Sequence, residues 1–175
     1  MNLNSSFYIH CYNTHMKTNT TKQNTIEIIN TLKQRNETVT FAESCTGGRI
    51  VAEFTAVSGA SSVLMGSCVT YANEIKSQWL GVKEQTLIDH GAVSKECVEE
   101  MLTGILKMAS ANHAIAVSGI AGPSGGTSEK PVGTVYIGIK NRHKSVIEHH
   151  LFKGEREEVQ EQAKERAIAL LKNNL

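Results

Sequence analysis

Several things are scarce in this sequence, and each scarcity closes off a class of function. There is no charge excess: over 175 residues the formal net charge is +1, so neither a basic field for nucleic acid nor an acidic one for cations is expected. Aromatic residues are few, with one Trp and four Phe, which excludes an aromatic-rich platform for stacking bases. No apolar run approaches the roughly 20 residues that span a bilayer, so no membrane partner is expected. The N-terminal stretch lacks the basic start and apolar centre of a signal peptide. The four cysteines, Cys11, Cys45, Cys68 and Cys97, contain no CxxC pair and no metal-ligand spacing. They read as reduced thiols of a cytoplasmic protein, with Cys68 in an apolar run expected in the core. The seven histidines are scattered without HExxH, and His149-His150 would point to opposite faces of a strand. No metal and no cofactor are expected. P-loop and GxGxxG spacings are missing, and Val117-Ser118-Gly119 lacks the first glycine of a GxSxG elbow.

What remains is an ordinary globular composition, 40% hydrophobic and 20% charged, without internal repeats or low-complexity linkers. Length and composition predict one domain with a full core. Residues 1–24, rich in Asn, Thr and Ser and without sustained periodicity, read as a loose tail. Met16 begins a second plausible start, so residues 1–15 are expected to add nothing to the fold. The domain proper is expected over 25–175.

From Thr25 on, the chain alternates. A short amphipathic helix carries Ile26, Ile28, Ile29 and Leu32 and ends near Asn36. The strand Val39–Ala42 and a helix from Ile50 to Val57 follow, then a turn at 58–61 and a strand from Val63 to Tyr71. Helical segments are predicted over Asn73–Leu80, closed by Gly81, and over Glu84–Asp89, stopped by His90-Gly91. Ser94 is placed as the N-cap of a long helix whose apolar positions run from Val98 to Ala109. A buried strand, Ala114–Val117, leads into a glycine-rich loop. Val132–Lys140 and Ser145–Phe152 alternate as a hairpin, and a last helix covers about Glu155 to Leu171. This order predicts an α/β layered fold with a mixed sheet flanked by helices, the hairpin supplying antiparallel edge strands.

Three stretches can carry chemistry. In Glu43-Ser44-Cys45-Thr46-Gly47-Gly48 a strand ends in a small hydroxyl residue, then two glycines, then a helix. A helix N-terminus offers unpaired N–H groups and partial positive charge, and glycines let a ligand approach the backbone. The segment therefore reads either as a nucleophile beside an anion-binding helix end or as a plain helix start with Ser44 or Thr46 as N-cap. Cys45 rivals Ser44 as nucleophile. In Tyr71-Ala72-Asn73-Glu74-Ile75-Lys76, the lysine can act as a base if burial lowers its pKa, and the tyrosine can hold or relay a proton; otherwise they are a surface lysine and a half-buried tyrosine. In Ser118-Gly119-Ile120-Ala121-Gly122-Pro123-Ser124-Gly125-Gly126-Thr127, a loop follows a strand where α/β folds place ligand sites. Its glycines permit close backbone approach to a ligand, or simply a long surface loop.

Ala42-Glu43-Ser44-Cys45-Thr46-Gly47-Gly48, Val69-Thr70-Tyr71 with Lys76, Gly91-Ala92-Val93-Ser94, Ser118-Gly119-Ile120-Ala121-Gly122-Pro123, Lys130-Pro131-Val132-Gly133-Thr134-Val135 and Phe152-Lys153-Gly154-Glu155-Arg156 together resemble the CinA C-terminal-domain family, which includes the bacterial nicotinamide-mononucleotide amidases. The resemblance runs in order from about Thr25 to Leu171. It implies a stand-alone amidase domain, without the larger domain linked to molybdopterin-type binding that often precedes it. It implies Ser44 as nucleophile, with Tyr71 and Lys76 assisting. It places Cys45, Thr46, Gly47 and Gly48 around the reacting carbonyl, and Ser118, Gly119, Gly122, Gly125, Gly126 and Arg156 against ribose and phosphate. Many relatives carry a second arginine four residues after the first, where this chain has Gln160.

The resemblance further implies hydrolysis of the nicotinamide carboxamide to nicotinate mononucleotide and ammonia within pyridine-nucleotide recycling. No cofactor is implied, and the partners expected are a small nucleotide substrate and further copies of the chain as a homo-oligomer. Two alternatives stay open: an amidase for a different small amide, and a non-catalytic binding or regulatory module linked to competence or DNA damage.

Overall fold

The computed structural model describes residues 5–175, with side chains from Thr20 onward. The chain begins with helix α1 (Ser5–Arg35), followed by β1 (Val39–Glu43), α2 (Arg49–Thr55), a short 3-10 turn (Ala60–Ser62) and β2 (Leu64–Val69). Then come α3 (Asn73–Leu80), α4 (Glu84–Asp89), α5 (Lys95–Ala109), β3 (His113–Gly119), β4 (Thr134–Lys140), β5 (Ser145–Leu151) and α6 (Arg156–Lys172).

The strands form one mixed sheet in the order β2-β1-β3-β4-β5. β1 runs parallel to both β2 and β3, while β3-β4 and β4-β5 are antiparallel. This is the mixed sheet and hairpin edge expected from the order of elements. The chain leaves β1 to one side for β2 and returns to its other side for β3. The carboxyl ends of these three parallel strands therefore flank a topological switch point, the usual location of a ligand crevice in such sheets.

The two faces of the sheet differ in side-chain size. Phe41, Ile115, Val117, Val135 and Ile137 point to the side covered by α1, α2 and α6. Ala42, Ala114 and Ala116 point to the other, against Val98, Met101, Leu102 and Ile105 of α5. The small residues let α5 lie close to the strands; a Cβ at Gly138 would stand 2.7 Å from Leu102. Gly104 of α5 does the same for α3, since a Cβ there would collide with the backbone of Leu80. That close seat brings α3 down beside the end of β1.

Ser94 caps α5 as expected, accepting a hydrogen bond from the Cys97 N–H at 3.2 Å. Two expectations are corrected. Cys68 is half-buried rather than deep in the core, its Sγ 3.7 Å from Met108. The first helix reaches back to Ser5, through much of the stretch that reads as a tail. Thr21 and Thr25 are buried in it, and the Thr25 hydroxyl donates to the Thr21 carbonyl at 3.0 Å. That back-bond gives the buried Thr25 hydroxyl a partner inside the helix. Residues 1–4, and the side chains up to residue 19, lie outside what is described, and so does the expectation that residues 1–15 contribute nothing.

Candidate active site

Ser44 follows β1, Thr70 and Tyr71 follow β2, and Ser118 and Gly119 end β3. A cleft of about 180 Å³ opens there, lined by Ser44, Cys45, Lys76, Ser118 and Arg156 among others.

At its floor the Lys76 Nζ lies 3.1 Å from the Ser44 Oγ. The same nitrogen is 2.7 Å from the Thr70 carbonyl and 3.1 Å from the Tyr71 carbonyl. Lys76 is 1% exposed and Ser44 8%. Among the described residues no carboxylate pairs with the amine. Burial lowers the Lys76 pKa below the ordinary lysine value, because the low-dielectric surroundings penalise the ammonium. A neutral amine has two N–H donors and one lone pair. As an ammonium, Nζ donates to all three oxygens; in the neutral form, with the two carbonyls taking both donors, the lone pair would face the Ser44 hydroxyl.

The turn that carries Ser44 is tied down on all sides. The Ser44 N–H donates to the Val117 carbonyl at 3.0 Å, and the Gly47 N–H to the Ser44 carbonyl at 3.1 Å. The Glu43 carboxylate, 0% exposed, accepts from the Thr46 hydroxyl and from the N–H groups of Gly48, Ile50 and Val51 at 2.8 to 3.2 Å. This corrects the expected N-cap and the expected free amides at the helix end. Neither Ser44 nor Thr46 caps α2; the N-cap position is Gly48, at φ 95°, and the capping group is the carboxylate from the preceding strand. The first amides of α2 are also not free for an anion, because the Thr46 carbonyl takes that of Arg49 and Glu43 takes those of Ile50 and Val51. Within the turn itself the Cys45 N–H bonds to its own sulfur, and the Thr46 N–H, in a residue 0% exposed, has no protein acceptor among the described residues.

Cys45 is buried, and burial pushes its thiol up to about 12, so it stays protonated near neutral pH. Its Sγ packs against Gly119, where a Cβ would stand 3.0 Å from the sulfur. The rival nucleophile is therefore a packing group. Its carbonyl matters more, because it accepts a 2.7 Å hydrogen bond from Gln160 Nε2 of α6.

The rim is different. Tyr71 is 63% exposed, and its hydroxyl accepts from Arg156 Nη2 at 3.1 Å, while Arg156 Nη1 donates to the Gly122 carbonyl at 2.8 Å. The Tyr71 side chain thus meets Arg156 rather than Ser44, and only its carbonyl reaches Lys76. Ser118 is buried, with its hydroxyl donating to the Ala92 carbonyl at 2.7 Å. Of the remaining residues placed here from sequence, Gly119 lines the cleft, whereas Thr46, Gly47, Gly48, Gly122, Gly125 and Gly126 do not. Gly126 instead packs on the backbone of Val132, so part of the glycine-rich loop folds on itself.

Asn73, Ala92, Val93 and Ala121 also line the cleft, without a role assigned from sequence. Glu43 was given no role from sequence, and Gln160 was noted there only as standing where many relatives carry a second arginine. A glutamate ending an otherwise apolar strand was the signal for Glu43. The four-residue spacing from Arg156 puts Gln160 on the same helix face. Among the described residues there is no cluster of three or more His, Cys, Asp or Glu able to hold a metal, and no helix long and apolar enough to cross a membrane.

The family model of the CinA C-terminal domain matches residues 21–175. The nicotinamide-nucleotide amidohydrolase PncC of Escherichia coli is 47% identical over 141 residues, covering 80% of this chain and 86% of that protein. A CinA-like protein of Endomicrobium trichonymphae is 47% identical over 144 residues, 82% of this chain but 34% of that protein. The chain thus spans about a third of the length of that longer relative. Among solved structures, the competence damage-inducible protein A of Klebsiella pneumoniae superposes with a TM-score of 0.84 at 39% identity, over 87% of this chain and 95% of that one. The competence/damage inducible protein of Agrobacterium tumefaciens does so with a TM-score of 0.85 at 37% identity, over 86% and 93%. The chain belongs to the CinA C-terminal-domain family.

Proposed function

We propose that this chain is an amidohydrolase that converts nicotinamide mononucleotide to nicotinate mononucleotide and ammonia, with Ser44 as nucleophile and Lys76 as its base. The observation that carries the reading is the buried lysine amine 3.1 Å from the serine hydroxyl, with two backbone carbonyls on its remaining donors. Similarity to an E. coli amidohydrolase over 86% of that protein supplies the substrate.

In this scheme Ser44 Oγ bonds to the carboxamide carbon as its proton passes to Lys76 Nζ. The carbonyl oxygen takes the negative charge, and donors lining the cleft would stabilise it. The C–N bond then breaks, Lys76 returns the proton to the departing nitrogen, and ammonia leaves. Water attacks the acyl ester, Lys76 takes its proton and passes it to Ser44 Oγ, and nicotinate mononucleotide is released. No metal or redox step enters. At about 180 Å³ the cleft is smaller than the usual 300 to 1,000 Å³ of a drug-sized site, so it would take the carboxamide ring and leave ribose and phosphate over the rim. There Arg156 offers charge-assisted hydrogen bonds to the phosphate.

The test is ammonia release from nicotinamide mononucleotide and from a panel of other small amides, by the wild type and by Ser44→Ala. Release from the mononucleotide that Ser44→Ala abolishes, with the fold intact, is the expected outcome. Release from another amide alone would point to the alternative amidase. No release from any amide would leave the non-catalytic reading.

A further inference from the structure

We infer that Asn73 determines specificity for the sugar of the substrate, its side-chain amide bonding the ribose hydroxyls; this rests on the reading of the chain as a nicotinamide-mononucleotide amidohydrolase. Ser44, Tyr71, Lys76, Ser118 and Arg156 line the cleft with hydroxyl or nitrogen groups that already have a protein partner. Asn73 lines it too, and among the described residues its amide has no protein partner. Nor does the helix use it. Asparagine caps a helix from the N-cap position, but that position is Ala72, and Asn73 is the first residue of α3. Both hydrogen-bonding ends of the amide are therefore left to what enters the cleft.

Depth in the cleft decides which part of the substrate the amide meets. Asn73 and Lys76 are three residues apart on α3, so they share a helix face. Lys76 is buried at the floor and Asn73 is exposed, so α3 descends into the site from its first residue. Three residues of helix rise about 4.5 Å. With the carboxamide at Ser44 and Lys76, the pyridine ring fills that height, and the ribose on its far side comes level with Asn73. Charge separates sugar from phosphate. Glu74, also in the first turn of α3, would repel a phosphate, which Arg156 of α6 can pair with instead. An amide both donates and accepts, as sugar hydroxyls do, whereas a phosphate dianion only accepts. Ser118, expected from sequence on this side of the substrate, has its hydroxyl committed to the Ala92 carbonyl.

The test measures ammonia release by wild type and Asn73→Ala from nicotinamide mononucleotide and from its 2′-deoxy and 3′-deoxy analogues. One hydrogen bond between neutral groups is worth about fivefold in kcat/KM. Wild type should lose about that much on at least one deoxy analogue. Asn73→Ala should lose about as much on the parent nucleotide, chiefly as a higher KM, with its melting temperature barely moved because the residue is exposed. On the analogue to which wild type is sensitive, the two proteins should agree within about twofold, since the contact is then already missing. Wild-type kinetics in Asn73→Ala, or a wild type indifferent to both hydroxyls, overturn the inference. An equal loss on all three substrates also overturns it, because a shifted helix start that misplaces Lys76 would act without regard to the sugar. In each of these cases a dead Ser44→Ala leaves the function standing. A wild type that releases no ammonia from the mononucleotide overturns the function and the inference together.

Discussion

At the floor of the cleft, Ser44 and Lys76 are buried and each is held by backbone groups that cannot drift: two carbonyls on the lysine, the Val117 carbonyl on the serine N–H. At the rim, Tyr71 and Arg156 are exposed and hold mainly one another. Desolvation makes the floor chemically unusual, because it strips the lysine of the water that would stabilise its charge. Solvent leaves the rim ordinary and free to move onto a ligand. A site divided in this way should lose kcat when the floor is altered and KM when the rim is altered.

The largest loss is expected at Lys76. Lys76→Arg keeps a cation that cannot deprotonate, so kcat should fall by about a thousandfold or more, as for loss of an activating base. Lys76→Met should be equally inactive yet at least as stable near neutral pH, since it removes a buried amine without a carboxylate partner. Because the folded-state pKa lies below the unfolded one, the unfolded chain binds more protons between the two values, and wild-type stability rises with pH across that window. Denaturant titrations at several pH values should show this slope in the wild type and not in Lys76→Met. The acid limb of the kcat/KM profile should report a group well below ordinary lysine. An active Lys76→Arg would break the division, leaving the lysine only a source of charge.

Glu43 comes next. Glu43→Ala would leave one buried and two part-buried backbone N–H groups without an acceptor, which should cost about 2 kcal/mol or more in denaturant unfolding. Glu43→Gln keeps part of the acceptor capacity and should cost less. A Glu43→Ala protein as stable as wild type would mean that α2 does not depend on this carboxylate.

The smallest effects belong to the rim. Arg156→Ala should raise KM for the mononucleotide about tenfold, the size of one charge-assisted contact, with kcat within a few-fold. Tyr71→Phe removes only the hydroxyl that Arg156 holds, and should raise KM by about threefold or less. If Tyr71→Phe instead abolished kcat with KM unchanged, the phenol would belong to the floor as a proton relay, and the boundary drawn here would move.

Much of this was written in local pattern. The periodicity of Val98–Ala109, the buried run Ala114–Val117 and the strand–glycine–helix order around Ser44 each predict their element, because helices and strands place side chains with fixed periods. Motif resemblance also picked out the serine and the lysine. The extent of α1 was not legible, since the stretch before Thr25 shows no sustained apolar stripe and the positions buried there, Thr21 and Thr25, are polar.

By itself, then, the sequence determined the order and kind of the elements and which side chains carry reactive groups. Only the tertiary structure decided which donor meets which acceptor. The parallel pairing of β1 with β2 and β3, and a close seat for α3 on α5, bring Lys76 to Ser44 across 32 residues. Glu43 takes the helix amides that Ser44 chemistry appeared to own, and Gln160 turns inward to the Cys45 carbonyl. The physical reason is that every buried polar group must find a partner, and several compete for each one. Sequence lists the competitors, and packing settles the match by distance and burial.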